Sequence, residues 1–394
     1  MIKFKYNFGQ TITLLYLIMI LTGCLTTNES DEKSYIVVFA YMIIMLFYIA
    51  YKKCVLIIRY PFVITLLIIA VWAYGFILGI INDNNMSHII RNFVGMTVYL
   101  LLIPLLNCGF SNKQFMNIII FFSYYALLVT FFTGLLGFIY NVEFLSEIPF
   151  LNAFVGGGGT GGFIQYFCRE LIHVCFAYNF YLMLYRSGRR FIPFMIVMLA
   201  LFEFVCLNDS GGDLLAIATL VISIVVVNSL EMKMNLSVLA TILFIIFGTL
   251  LFNVYMGQGF LSILFSDQDG GNIRRLVELN YFLNNMTIEG WGLGKELGVA
   301  GAGEYNYGTE LIYLNLFHKF GVFALVIIGC YVSTLVKAFY YMKKNRTAES
   351  TVPLALMAYL LPSLANPMLF STLSVTSHLL SMIIFSRENE TSYN

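Results

Sequence analysis

Charge is what this sequence has least of. Charged residues make up 11% of its 394 residues, hydrophobic residues make up 60%, and the mean hydropathy is +0.84. A soluble domain carries about 25% charged residues, so the composition excludes one and indicates an integral membrane protein with many spans. The net charge of +1 provides no basic surface for neutralising phosphates, which argues against a nucleic-acid partner.

Paired cysteines are also missing. The seven Cys residues stand singly in or beside apolar runs, without a C-x-x-C pair. We interpret them as small buried hydrophobic residues rather than as disulfide partners or metal ligands. The N-terminal apolar run resembles a signal peptide, but Cys24 lacks a convincing small-residue cleavage context, so we expect the first span to be retained.

Long apolar runs occupy most of the chain. A helix needs about 20 apolar residues to cross a bilayer. With that window the sequence predicts an all-α polytopic membrane protein with about twelve transmembrane helices in one integral membrane domain, 1–394. The predicted spans are 9–27, 35–51, 60–81, 92–107, 115–139, 166–185, 191–207, 213–230, 236–255, 311–336, 351–366 and 369–386.

The basic residues predict the orientation of these spans. With the N-terminus inside, most of the 22 Lys and Arg residues fall on the cytoplasmic side, as the positive-inside rule requires. Both termini are then cytoplasmic. The external connections include a loop at 140–165 and a large polar loop at 256–310, between spans nine and ten. On that side no ATP or sugar nucleotide is available.

Four arginines are kept on the external side, where the charge rule disfavours them: Arg91, Arg169, Arg274 and Arg275. Guanidinium groups stay charged and bind phosphate oxygens bidentately, so these arginines suggest an anion site. The adjacent Arg274 and Arg275 diverge by about 100° on a helix and are not expected to share one role. The alternative is an interfacial ion pair, for example between Arg169 and Glu170.

Two residues are candidate general bases for removing a proton from a hydroxyl. Glu310 stands at the external entrance of the tenth span, and His173 lies on the same helix face as Arg169. Glu310 equally suits the orientation of an arginine, and His173 equally suits hydrogen-bonded packing. Tyr305 and Tyr307, in the large loop, are candidates for stacking on sugar rings.

One arrangement in the large loop resembles a known family. Arg275 is followed by Gly292-Leu293-Gly294, a polar stretch, and Glu310 at the opening of a span that contains Gly321. Together with about twelve spans and a second external loop ending at Arg169, this pattern resembles the C-terminal signature of the O-antigen polymerase and O-antigen ligase superfamily. The resemblance covers the architecture of the whole chain.

The resemblance implies a GT-C-like, metal-independent membrane glycosyltransferase that needs no cofactor. Such enzymes act at the outer, periplasmic face of the bacterial inner membrane on an undecaprenyl-pyrophosphate-linked oligosaccharide. Arg169 and Arg275, or Arg274, are implied to contact the donor pyrophosphate, with Gly292 and Gly294 in the substrate site. A chain-length regulator protein and the lipid bilayer itself are the other implied partners.

The sequence departs from the ligase pattern at two places. Ligases usually have a histidine where Glu310 stands, and an arginine near 210–213, where this chain has Ser-Gly-Gly-Asp. Both departures favour a polymerase, which joins one lipid-linked repeat unit to another. A ligase or another lipid-linked glycosyltransferase is the first alternative. A twelve-span flippase or transporter is the second, disfavoured because the two halves show no obvious repeat.

Overall fold

The fold is all-helical over the residues that the structure, a computed structural model, describes. These residues are 7–22, 31–52, 60–140, 169–186, 188, 190–204, 211–229, 270–295, 311–364, 369–370 and 372–386. The all-α class predicted from the sequence is therefore confirmed for this part of the chain.

The described α-helices are numbered in chain order. They are α1 (Phe8–Leu21), α2 (Asp31–Lys52), α3 (Tyr60–Ile81), α4 (Met86–Met96), α5 (Leu102–Asn107), α6 (Asn112–Tyr140), α7 (Arg169–Tyr185), α8 (Phe191–Phe202), α9 (Gly211–Ser229), α10 (Gly270–Asn285), α11 (Ile312–Phe320), α12 (Ala324–Asn345), α13 (Val352–Leu356) and α14 (Thr372–Ser386). Short 3-10 helices cover Thr97–Leu101, Gly321–Phe323, Glu349–Thr351, Ala358–Leu360 and Pro362–Leu364.

Four helical runs among the described residues are long and apolar enough to cross a membrane. They are Tyr60–Ile81, Met86–Asn107, Asn112–Phe132 and Ile312–Asn345. Shorter apolar helices, such as α1, α8 and α14, accompany them. These features indicate a helical membrane protein, while the full set of twelve spans and their orientation stay predictions. The predicted span 236–255 and nearly all of the loop 140–165 lie outside the described residues.

Helix boundaries agree with the apolar window where one helix fills one span. The predicted span 60–81 coincides with α3. The predicted span 92–107 begins earlier, at Met86, because Asn85 caps the helix by accepting a hydrogen bond from the Ser87 N–H. The predicted span 311–336 continues through α11 and α12 to Asn345.

The predicted span 351–366 is not a single α-helix over its described residues, and its status as a span stays a prediction. The described part of this segment consists of α13 and two 3-10 helices. Pro362 has no N–H to donate and its ring conflicts with the preceding turn, so an α-helix cannot run through it. Hydrogen bonds of the 3-10 type, such as Leu361 N–H to Ala358 O at 3.2 Å, take over before it. The segment is nevertheless almost fully buried.

Helix α7 is largely buried and packs against α6, α8, α9 and α13. Nearly all its side chains from Glu170 to Leu184 are buried. A second group, made by α3, α4, α12 and α14, packs beside it. The starts of α7, α9 and α14 therefore lie close together, and several polar side chains meet there.

A buried polar network holds the second group together. The Tyr99 hydroxyl lies 2.7 Å from the Tyr331 hydroxyl and 2.8 Å from His378 Nδ1. Thr334 Oγ1 lies 2.9 Å from His378 Nε2. Both imidazole nitrogens thus have protein partners, as buried polar groups require. We interpret His378 as a structural residue.

The long helical run from Ile312 to Asn345 is interrupted at Gly321. This residue has φ +54°, a value that L side chains rarely adopt, so the α-helix ends there. A segment of the large external loop supplies the missing hydrogen bonds: the Val322 N–H donates to Ile288 O at 2.8 Å. The break therefore allows the loop to pack directly against the helix backbone.

We expect Gly321→Ala to destabilise the protein. A Cβ at this position would overlap the Ile288 carbonyl oxygen, and the positive φ alone costs about 1–3 kcal/mol for a residue with a side chain. Gly329→Ala is the matched control, because a Cβ there meets nothing within 4 Å and alanine favours a helix by up to about 1 kcal/mol. Thermal unfolding in detergent should separate the two variants. Equal melting temperatures would contradict this interpretation of the break.

Candidate functional site

The segment Gly290–Gly294, which we call the GWGLG loop, lies between α3, α4 and α11. The N–H groups of Trp291 and Gly292 donate to the carbonyls of His318 and Lys319, at 2.8 and 2.9 Å. These two carbonyls belong to the last turn of α11, whose carbonyls have no helical partner. The Leu293 N–H donates to Gly75 O in α3 at 2.8 Å. The loop thus joins two helices through its backbone.

Glycine is required at the crowded positions of this loop. Gly292 has φ +80°, and a Cβ on it would overlap the backbone of Gly79. Gly294 has φ +75°, and a Cβ on it would lie 2.8 Å from Asn85 O. The resemblance implied that Gly292 and Gly294 contact substrate, and that role stays a prediction. Their observed contacts are with α3 and α4, so packing accounts for both glycines.

Two asparagines in the turn between α3 and α4 donate hydrogen bonds to carbonyls of the GWGLG loop. Asn84 Nδ2 donates to Trp291 O at 2.7 Å and to Leu293 O at 2.9 Å. Asn82 Nδ2 donates to Trp291 O at 3.1 Å. Sequence reasoning missed both residues, because an asparagine in a short turn is explained by the turn alone.

A buried lysine connects α11 to α4. Lys319 is 8% exposed, and its Nζ donates to Asn92 Oδ1 at 2.6 Å. Asn92 follows Arg91, so the predicted anion-binding arginine stands on a helix that is tied to the GWGLG loop and to α11. The side chain of Arg91 lies outside the described residues. Sequence reasoning gave Lys319 no role.

Helix α10 carries the two adjacent arginines of the large loop and packs on α11. The residues that face the protein on α10 are Glu278 and Phe282, both buried, with Arg275 half-buried one turn before Glu278. Glu278 Oε2 accepts from the Leu311 N–H at 3.3 Å, at the start of α11. The described Arg275 side chain therefore lies near the helix start that follows Glu310. The side chain of Arg274 lies outside the described residues, so the choice between the two arginines stays open.

Aromatic side chains of α10 pack around His318. The Tyr281 and Phe282 rings lie 5.5 and 5.4 Å from the imidazole centroid. Partial burial raises the pKa of the Tyr281 phenol above its usual value, so it stays protonated at neutral pH. These contacts fix the position of α10 on α11.

His173 belongs to a second polar cluster, at the starts of α7, α9 and α14. Its Nε2 lies 3.2 Å from Asp213 Oδ1, and both side chains are fully buried. The two groups are close enough for an ion pair but are not aligned as a hydrogen bond. Beside them, Ser374 Oγ donates to Glu170 Oε1 at 2.7 Å. A buried carboxylate also stands at the end of α8, Glu203.

The burial of His173 bears on its predicted role as a base. Its ring stacks on Phe204 at 5.2 Å and is completely buried, so a sugar hydroxyl has no access to it in this conformation. Sequence reasoning placed His173 on the helix face of Arg169, which stays a prediction, and did not pair it with Asp213. Arg169 begins α7, and its side chain lies outside the described residues.

Three other predicted site residues lie outside the described residues: Glu310, Tyr305 and Tyr307. Among the residues that are described, no group of three His, Cys, Asp or Glu side chains is placed to hold a metal ion.

Comparisons with known proteins give no relative. No family model matches the chain, and neither the curated proteins nor the solved structures contain a match.

We expect removal of one partner of the His173–Asp213 pair to be costly. His173→Ala leaves a buried carboxylate without its imidazole, which costs about 3–5 kcal/mol for a buried ion pair. The double substitution His173→Phe with Asp213→Leu should cost less than the sum of the single substitutions, because no uncompensated charge remains. Thermal unfolding of the four proteins measures this coupling, and strictly additive losses would show that the pair does not interact.

Proposed function

We propose that this protein polymerises a surface glycan, transferring an undecaprenyl-pyrophosphate-linked oligosaccharide onto another lipid-linked repeat unit. The observation that supports this most is the common packing of α4, α10 and the start of α11 around the GWGLG loop. These elements carry Arg91, Arg275 and the residue after Glu310. The charge pattern predicts that this end of the helices is external, where a lipid-linked donor is the available substrate.

The proposed donor contacts are made by arginines. Arg275, or Arg274, and Arg169 bind the pyrophosphate, and Arg91 adds a further positive charge from α4. Guanidinium groups match phosphate oxygens in geometry and stay charged in a partly dry site. Tyr305 and Tyr307 contact the glycan.

The proposed reaction needs one base and one charged leaving group. A hydroxyl oxygen of the acceptor sugar attacks C1 of the donor sugar, and the C1–O bond to the pyrophosphate breaks. The electron pair leaves with the polyprenyl pyrophosphate, whose growing charge the arginines stabilise. The hydroxyl proton passes to Glu310. We prefer Glu310 to His173 because the His173 ring is buried against Phe204.

Deletion of the gene in its host separates this proposal from its alternatives. Surface polysaccharide run on a gel should show single repeat units if the protein is a polymerase. Long chains that remain unattached would instead indicate a ligase, and the absence of any external glycan would indicate a flippase. Either of those outcomes would overturn the polymerase proposal.

Arg275→Ala should reproduce the polymerase defect without lowering the amount of protein in the membrane. Removing one group that stabilises a developing charge typically slows a reaction by about 10²–10³-fold. Arg186→Ala is the matched control: it removes the same charge from an exposed position after α7, at the end that the charge pattern predicts to be cytoplasmic. Normal chain length in the Arg275→Ala strain would remove Arg275 from the site.

The proposal assigns no step to a metal ion, and metal removal tests this. The sequence contains one D-x-D pair, Asp267 and Asp269, which sequence reasoning did not count as a credible carboxylate cluster and which lies outside the described residues. Polymerisation by the purified protein should change by no more than about twofold after treatment with EDTA, since guanidinium groups supply the positive charge. A large loss that Mg²⁺ or Mn²⁺ restores, and that Asp267→Asn reproduces, would contradict metal independence.

A further inference from the structure

An unusual apolar surface lies on the segment that sequence reasoning treated as a polar external loop. Within residues 276–288, Ile288 is 78% exposed and Leu283 is 66% exposed, and Leu276 and Met286 are also exposed. We call these four residues the outer apolar patch. Large aliphatic side chains that are this exposed in one short segment mark a contact surface.

The contacts of this segment with two candidate spans indicate its position relative to the membrane boundary. The Ile288 carbonyl accepts from the N–H of Val322, immediately before α12. Helix α12 has 22 residues, a length of about 33 Å, which is close to the thickness of the hydrocarbon core. Its last turn contains Lys343 and Lys344, which mark one membrane boundary. Val322 therefore lies near the opposite boundary, and so does Ile288.

Helix α3 gives the same depth independently. It is a candidate span of 22 residues, Tyr60–Ile81, and the Leu293 N–H bonds to the carbonyl of Gly75, more than a turn before the helix ends. The segment thus lies beside the last turns of α3 rather than above them. Exposed Ile77 and Ile81 on α3, and exposed Val322 and Phe323 before α12, belong to the exposed apolar surfaces of these candidate spans, which a bilayer would cover with lipid.

One side of α10 is buried against the protein and the other is exposed, as expected for a helix that lies at a membrane interface. Glu278 and Phe282 are buried against the protein, and Arg275 is half-buried beside them. Leu276 and Leu283 are seven residues apart and share one exposed edge of the helix. Asn280, also exposed, is four residues after Leu276 and borders the same edge, whereas the exposed Asn284 lies about 100° round the helix from Leu283. Val277, 41% exposed, lies beyond Asn284. The exposed surface of α10 is therefore apolar at the edge of Leu276 and Leu283 and mixed beyond it.

We propose that the outer apolar patch is immersed in the acyl chains of the adjacent membrane leaflet, so that α10 lies at the membrane interface. The partner is lipid hydrocarbon, because the patch continues the lipid-facing surfaces of α3 and the start of α12. Asn284, about 100° round the helix from Leu283, faces the headgroups and water. The large loop is then anchored to the membrane at its centre rather than projecting from it.

Tryptophan quenching in vesicles tests this directly, because the chain has only two tryptophans, Trp72 and Trp291. In a Trp72→Phe, Trp291→Phe background, single tryptophans are introduced as Ile288→Trp or Leu283→Trp, with Asn284→Trp as the matched control. In phosphatidylcholine–phosphatidylglycerol vesicles with brominated acyl chains, quenching at 288 and 283 should exceed quenching at 284 by about twofold. Acrylamide in the aqueous phase should give the opposite order.

Two outcomes would overturn the proposal. Equal quenching by brominated lipid at all three positions, with ready access for acrylamide at 288, would place the patch in water. Protection from both quenchers at 288 would mean that protein covers it, as in a second copy of the chain or another partner.

The two Trp→Phe substitutions change packed positions: Trp72 packs against Phe320 and Phe370, and Trp291 bonds to Asn285. A second measurement therefore keeps the test decisive if this background variant does not fold. A photoreactive benzoylphenylalanine is placed at 288 or 284 of the otherwise native protein in the same vesicles. Lipid adducts detected by intact mass should form at 288 and be scarce at 284. Adducts to protein alone at 288 would reject the proposal.

Discussion

The described structure depends most on the backbone hydrogen bonds at the helix break. A membrane helix that stops leaves carbonyl and N–H groups that the bilayer cannot satisfy. Here the GWGLG loop bonds to the carbonyls of His318 and Lys319, and the Val322 N–H bonds to Ile288 O. These bonds hold α10 and its loop against α3 and α11. The positions of Arg275 and Glu278 follow from them.

The sequence predicts well those parts of the fold that depend on local pattern. A window of apolar residues was sufficient for α3, because one uninterrupted helix fills one span. At 351–366 the window did not indicate the change from α13 to 3-10 turns, because a buried segment interrupted by proline is as apolar as a continuous helix. It also gave no sign of α10, whose mean composition is polar and whose stability comes from packing on α11.

The sequence predicts only part of the candidate site. Arginines that the charge rule predicts to be external stand out in a sequence with so little charge, and Arg275 lies on the helix that packs at the start of α11. Pairs such as His173 with Asp213, or Lys319 with Asn92, join residues far apart in the chain and leave no local pattern. Gly292 and Gly294 also show that a Gly-x-Gly pattern can be required by helix packing alone.

The position of the GWGLG loop in the chain has a consequence for biogenesis. Its partners are α3, which is synthesised long before it, and α11, which is synthesised after it. The loop therefore cannot make its full set of hydrogen bonds until α11 has entered the membrane. During translation, the corner that contains Arg275 must remain open while most of the helices are already in place. Assembly of this corner is then a late event, and a chain that stops before residue 312 would insert many helices without completing it.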